Sequence, residues 1–157
     1  MEQKLLSTDR PISVSYVFIS EILYYVKKSD SECQVYLVQN SNWKLINTTI
    51  GSINLSEKPV ETEAGLKFVT ELSAIIPGHS VTTPGEVLAV TGRKVALKFV
   101  YRNGLTKIVG TNLSGPKLNI SISAGVTTQR TLSAAWEASN PNLFIGDGDS
   151  GSGGVGV

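Results

Sequence analysis

Lys94-Val-Ala-Leu-Lys-Phe-Val-Tyr101-Arg-Asn-Gly104-Leu-Thr-Lys-Ile-Val-Gly110 is the stretch on which the reading of this chain turns. Val95, Leu97, Phe99 and Tyr101 alternate with Lys94, Ala96, Lys98 and Arg102, and only Val100 breaks the polar side. A period of two is the signature of a strand with one buried face. Asn103-Gly104 then separates this run from Thr106, Ile108 and Gly110. Asn-Gly between alternating runs predicts a hairpin with a type I′ turn, which needs positive φ at both central residues.

The same alternation continues downstream. Leu118, Ile120, Ile122 and Ala124 form one apolar series, and Leu132, Ala134 and Trp136 another, so residues 94–138 read as four consecutive strands. Leu143, Phe144 and Ile145 then tack the end back onto the body. Upstream, Leu66, Phe68, Thr70, Leu72, Ala74 and Ile76 predict a strand with a mostly polar outer face, ended by Pro77-Gly78. Between residues 12 and 26, seven of the eight even positions are apolar, Ser20 being the exception. Val17, Ile19 and Leu23 on the odd side predict burial on both faces, or a bulge near Ser20-Glu21. A helix over residues 17–25 is the competing reading. Residues 33–38 and 43–46 supply two shorter strands.

Two segments stand apart. Residues 48–65 carry Ser52, Asn54, Ser56, Glu57, Lys58, Pro59, Glu61, Thr62 and Glu63, with Ile53, Leu55 and Val60 as the only apolar interruptions. They predict a long loop, or a β arm that orders against a neighbour, since uncovered loops of this length are usually functional or disordered. Residues 83–91 predict a short helix: Thr83 as N-cap, Pro84 at N1, Glu86 completing a capping box, and Gly92 as the stop at C′. Residues 1–145 thus form one mainly β domain, an antiparallel sandwich or partly closed barrel with one short helix. Residues 146–157, rich in Gly, Ser and Asp, form a flexible tail.

Composition narrows the function. In 157 residues the net charge is +1 and only 17% are charged, so no basic stripe marks a dedicated nucleic-acid binder. Ser and Thr fill many polar positions, which suits extensive protein contact but is also the ordinary preference of β proteins. Cys33 is the single cysteine, so no intrachain disulfide forms. No apolar run approaches the roughly 20 residues that span a bilayer, and no signal peptide is visible at the N-terminus. A reducing cytoplasm is the expected site of synthesis, and no membrane partner is expected.

Sites for chemistry are scarce. Gly148-Asp149-Ser150-Gly151 copies the string around a serine-protease nucleophile, but the only histidine, His79, lies in a turn far along the chain. Asp147 and Asp149 resemble a fragment of a calcium loop without its remaining ligands. Gly110-Thr-Asn-Leu-Ser-Gly115-Pro116-Lys117 imitates a phosphate loop, but Pro116 displaces the Lys, Leu118 replaces the required Ser/Thr, and a strand follows. Glu61 with Glu63 reads as solvated loop charge, Cys33 as a small hydrophobe, and Trp43 and Trp136 as core. No catalytic, cofactor or metal residues are therefore assigned, and the chain reads as no enzyme.

The segments Gly92-Arg-Lys-Val-Ala-Leu-Lys-Phe-Val-Tyr-Arg-Asn-Gly104, Ile108-Val-Gly110, Thr62-Glu-Ala-Gly65 and Arg130-Thr-Leu-Ser-Ala-Ala-Trp136-Glu-Ala-Ser-Asn-Pro141 carry a family resemblance. Over residues 5–145 the chain resembles small structural proteins of tailed phages and prophages of Bacteroidetes. The order of elements is similar to that of tail-tube-type subunits. This implies a virion protein, made in the host bacterial cytoplasm, that assembles into rings, commonly hexameric, at the tail tube or head–tail junction. Its implied partners are copies of itself and other phage structural proteins, with non-specific passage of DNA through a lumen. The assembly-interface candidates are Ile53, Leu55, Glu57, Lys58, Glu61 and Glu63 in the arm, and Arg102 and Asn103 at the hairpin turn. The alternative is a monomeric β-sandwich binding module for carbohydrate or a receptor.

Overall fold

The computed structural model describes residues 10–77, 91–111, 113–123, 129–138 and 143–145. The strands in chain order are β1 (Pro11–Phe18), β2 (Ile22–Lys27), β3 (Glu32–Leu37), β4 (Lys44–Ile46), β5 (Asn54–Thr62), β6 (Gly65–Ile76), β7 (Val95–Tyr101), β8 (Thr106–Val109), β9 (Asn119–Ser123), β10 (Gln129–Ala138) and β11 (Leu143–Ile145). The expected helix lies outside the described residues except for Thr91, which makes an isolated bridge to Leu118. Gly92 has φ +82°, the left-handed conformation that a C′ stop requires. His79, the Gly148–Gly151 string and the tail over 146–157 also lie outside the described residues.

The hairpin of β7 and β8 forms where the alternation placed it, with a different turn. Gly104 N–H donates to the Tyr101 carbonyl at 2.9 Å, and Tyr101 N–H donates to the Leu105 carbonyl at 2.8 Å. Gly104 has φ +90°, whereas Asn103 stays at negative φ. The loop is therefore the three-residue kind, a type I turn followed by a glycine bulge, and not type I′. Both turns match the strands' right-handed twist, but this one needs a single left-handed residue. Asn103 is then free to accept from Leu105 N–H through its side-chain oxygen at 3.1 Å.

The four strands read as consecutive over 94–138 divide between two sheets. One is seven-stranded, in the order β2-β3-β11-β8-β7-β1-β4, and the other four-stranded, in the order β5-β6-β10-β9. All pairs are antiparallel except β11 with β3. The sheets face each other across one core. Val14, Tyr16, Leu97 and Phe99 of the larger sheet meet Leu72, Ala74, Ile76, Leu132 and Ala134 of the smaller. This makes a sandwich-like pair of layers.

The larger sheet cannot be flat. β1 and β2 are five places apart in its order, roughly 24 Å at the usual strand spacing. Yet only Ile19–Glu21, a single 3₁₀ turn, connects them, and Phe18 to Ile22 can span at most about 14 Å. The sheet therefore rolls until β2 returns toward β1. A second cluster, Val17, Ile22, Cys33, Val35, Leu37, Ala96 and Ile108, fills the inside of the roll. No hydrogen-bonded ladder joins β1 to β2 among the described residues, so the barrel is not closed. The bulge expected near Ser20-Glu21 is in fact this 3₁₀ corner. Val17, Ile19 and Ile22 alternate out of step because the chain changes strands there.

Glu21 holds the corner. Its carboxylate accepts from Phe18 N–H at 3.0 Å and from Lys44 Nζ at 3.3 Å, while Val38 N–H donates to its carbonyl at 2.9 Å. Burial by itself raises the carboxyl's pKa. The Phe18 N–H, the Lys44 charge and a Ser41 hydrogen bond outweigh it and leave the group below its ordinary value. Gly115 packs under the same corner. A Cβ there would sit 2.1 Å from the Val95 carbonyl oxygen and 3.0 Å from Ile19 Cδ1, so no other residue fits without movement.

Residues 48–65 are not a long loop. Their second half is β5, nine residues paired in unbroken register with β6 from Asn54↔Ser73 to Thr62↔Gly65. The polar composition suits an edge strand, which has only one neighbour and needs little apolar alternation.

Candidate assembly surface

β5 and β6 do more than pair. Among the described residues, β10 pairs with β6 as far as Ala138↔Phe68. Beyond that level Val60↔Lys67, Glu61↔Leu66 and Thr62↔Gly65 pair with each other, with no third described strand beside them. The ribbon runs roughly 10 Å past the last described residue of β10, from three residues of strand rise, before its turn. Glu63 and Ala64 make the turn, Gly65 takes φ +119°, and Thr62 Oγ1 donates to the Gly65 carbonyl at 2.7 Å. Pairing puts Val60 beside Lys67 and Glu61 beside Leu66, so each face of the ribbon carries one apolar and one charged side chain. Val60 is 39% exposed and Leu66 52%. An isolated two-stranded ribbon is marginal in water. Here Lys67 Nζ, 3.6 Å from Glu137 Oε1, ties its root to β10.

The eight sequence candidates separate into two groups. Ile53 is 1% exposed in the shared core, and Leu55 packs partly buried against it. Glu57 also turns inward, where Lys107 Nζ on β8 donates to its Oε1 at 3.1 Å, so this ion pair joins the two sheets. Burial and the Glu57 charge push the neighbouring Tyr101 hydroxyl up in pKa. These three residues help hold the sandwich together and present less surface than the ribbon does. Lys58, Glu61 and Glu63 are exposed on the ribbon, and Arg102 and Asn103 are exposed at the β7–β8 turn. Val60 and Leu66 are the ribbon residues that sequence reasoning missed. Val60 is an isolated hydrophobe in a polar run and carries no periodicity, while Leu66 heads the alternating β6 series and so read as an inward residue.

The described residues offer little reactive chemistry. Cys33 is fully buried, and burial pushes its thiol up to about 11 despite a hydrogen bond with Tyr25. No group of three His, Cys, Asp or Glu side chains that could hold a metal occurs among the described residues. The phosphate-loop imitation is a turn: Thr111 Oγ1 accepts from Leu113 N–H at 3.1 Å and Ser114 N–H at 3.2 Å, and strand β9 follows. Trp43 and Trp136 pack against the two core clusters. A cleft of about 650 Å³ is lined by Asn54, Ser73, Ser133 and Asn119, which share one cross-strand row, together with Glu71 and Arg10. Among the described residues that line it, Glu71 is the one carboxylate.

No helix among the described residues is long and apolar enough to cross a membrane. Comparison with protein-family models, curated proteins and solved structures finds no match to this chain.

Proposed function

We propose that this chain is a non-enzymatic structural subunit of a tailed-phage virion, assembling with copies of itself into rings of a tail tube or head–tail junction. One observation carries the self-assembly part of this reading: a β ribbon exposed on both faces, with no further strand beside it beyond Phe68 among the described residues. Such a ribbon gains little by standing in water. Its unpaired edge and its Val60 and Leu66 side chains gain a good deal by packing on another subunit. The phage assignment rests on the resemblance of the strand and turn segments. The inward-turned Glu57–Lys107 pair is consistent with a rigid body that presents one projecting arm.

Negative-stain imaging of the purified chain, alongside sedimentation velocity over a wide concentration range, tests the proposal. Rings or tubes are the expected result. A monomer at every concentration, with no ordered particles, sinks it. The cleft beside Glu71 supports a second reading, a monomeric binding module. A monomer that shifts the amide resonances of Asn54, Ser73 and Ser133 on addition of oligosaccharide would favour that alternative.

A further inference from the structure

The surface that receives the ribbon has its own signature. Lys94 and Lys117 lie directly opposite each other in an antiparallel bridge, and both are exposed. Like charges in that relation repel. The ion pairs among the described residues are Lys27–Asp30, Lys44–Glu21, Lys67–Glu137 and Lys107–Glu57, so neither member of this opposed pair has a carboxylate partner there. Arg93 adds a third cation beside them, its guanidinium stacked 3.8 Å from the centre of the Phe18 ring. At the other end of the charge pattern, Glu61 and Glu63 crown the ribbon, exposed and likewise outside those four pairs.

Resting on the self-assembly reading above, we propose that Glu61 and Glu63 of one copy dock against Lys94 and Lys117 of a second copy. Carboxylates seated there would relieve the Lys–Lys repulsion that the single chain tolerates. Apolar groups match as well: Leu66 on the ribbon is 52% exposed, and Leu113, in the loop before Lys117, is 83% exposed. The strand order gives the assembly its direction. β5 is one edge of the four-stranded sheet and β9 the other, and Lys117 lies two residues before β9. Lys117 therefore lies next to the edge opposite the ribbon, bridged to Lys94 just before β7 of the seven-stranded sheet. The contact is head-to-tail, the kind that closes into a ring or runs on as a filament and does not stop at a two-fold dimer. A phosphate backbone is the rival occupant of the cations. Three clustered cations and a net charge of +1 make a poor nucleic-acid footprint, and the matching acidic tip favours a second copy of the chain.

Charge reversal in the full chain tests this. Lys94→Glu with Lys117→Glu, and separately Glu61→Lys with Glu63→Lys, should each weaken self-association by about tenfold or more in sedimentation velocity at low salt. All four substitutions in one chain should recover most of the loss. Zero-length carbodiimide cross-linking of a mixture of light and heavy-isotope wild-type chains should join Glu61 or Glu63 to Lys94 or Lys117 between copies. This arm decides the matter even if a reversed variant fails to fold. If the wild type assembles but yields no such cross-link, or folded reversals assemble as well as wild type, the receiver is wrong and the self-assembly reading stands. If the wild type never assembles, both fall. Loss of DNA binding in the Lys variants with self-association intact would also overturn the proposal in favour of the rival occupant.

Discussion

The rolled corner of the seven-stranded sheet and the β5–β6 ribbon are made of the same element under opposite constraints. At the corner, Val17, Cys33, Val35 and Ala96 have no exposed surface, and Gly115 leaves no room for a methyl group. On the ribbon, residues 58–66 are all exposed. The corner is over-determined, because packing, backbone contact and the Glu21 hydrogen bonds all require one arrangement. Among the described residues, the ribbon is held by its own ladder and a single ion pair at its root. The contrast is one of constraint: several contacts fix the corner, and few fix the ribbon.

The hardest test of that contrast is Gly115→Ala. The added methyl would lie 2.1 Å from the Val95 carbonyl oxygen. We expect a loss of about 3 kcal/mol or more in urea unfolding, at the upper end for overpacking. Gly65→Ala, with nothing within 4 Å of its Cβ but φ +119°, should cost only about 1 kcal/mol of backbone strain. Equal losses at the two sites would abolish the distinction.

Next in size is the bridge between the sheets. Glu57→Ala removes the carboxylate that faces Lys107, whose side chain is 16% exposed. The expected cost is about 2 kcal/mol, below the figure for a fully buried pair because water still reaches the edge of this one. Glu57→Ala combined with Lys107→Met should recover part of the loss, which a double-mutant cycle in urea would measure.

Glu21 sharpens the comparison through pH. Its folded pKa is below the unfolded value, so its contribution is present above the unfolded carboxyl pKa and is lost as pH falls through the folded one. Stability should therefore fall on acidification below the ordinary Glu range. Glu21→Gln should cost about 1 kcal/mol near neutrality and flatten that acid limb, as followed by urea midpoints across pH. An unchanged acid limb would remove Glu21 as the corner's fastener.

The smallest effects are expected on the ribbon. Val60→Ser and Leu66→Ser should each change monomer stability by no more than about 0.5 kcal/mol. Ribbon amides at residues 60–67 should exchange with solvent far faster than those of β7 in the monomer, and slow down on assembly. Protection as strong as β7's in an isolated monomer would show that the ribbon needs no partner.

Much of this fold was legible locally. The β7–β8 hairpin, the long β6 strand and the inward Leu132, Ala134 and Trp136 of β10 follow from period-two alternation, which needs only a strand with one wet face. β5 was read only as part of a long loop or a β arm because Pro59, Lys58 and its two glutamates, Glu57 and Glu61, are poor strand formers in isolation. An edge strand is fixed by its neighbour's backbone, and that neighbour's register is invisible within the segment itself. The candidate surface was half legible. The exposed Lys58, Glu61 and Glu63 fell inside the predicted arm, but so did Ile53, Leu55 and Glu57, which the alternation of a paired strand turns toward the core.

What the chain's order of residues determined by itself was most of the strands and the positions of several tight turns, since each depends on neighbours within a few positions. Only the tertiary structure decided that adjacent hairpins belong to different sheets, that β11 slots between β3 and β8, and that the larger sheet rolls back on a three-residue corner. Alternation says that a strand has an inside and an outside. It does not say which distant backbone will satisfy its hydrogen bonds, because that choice is made by the packing of the whole chain.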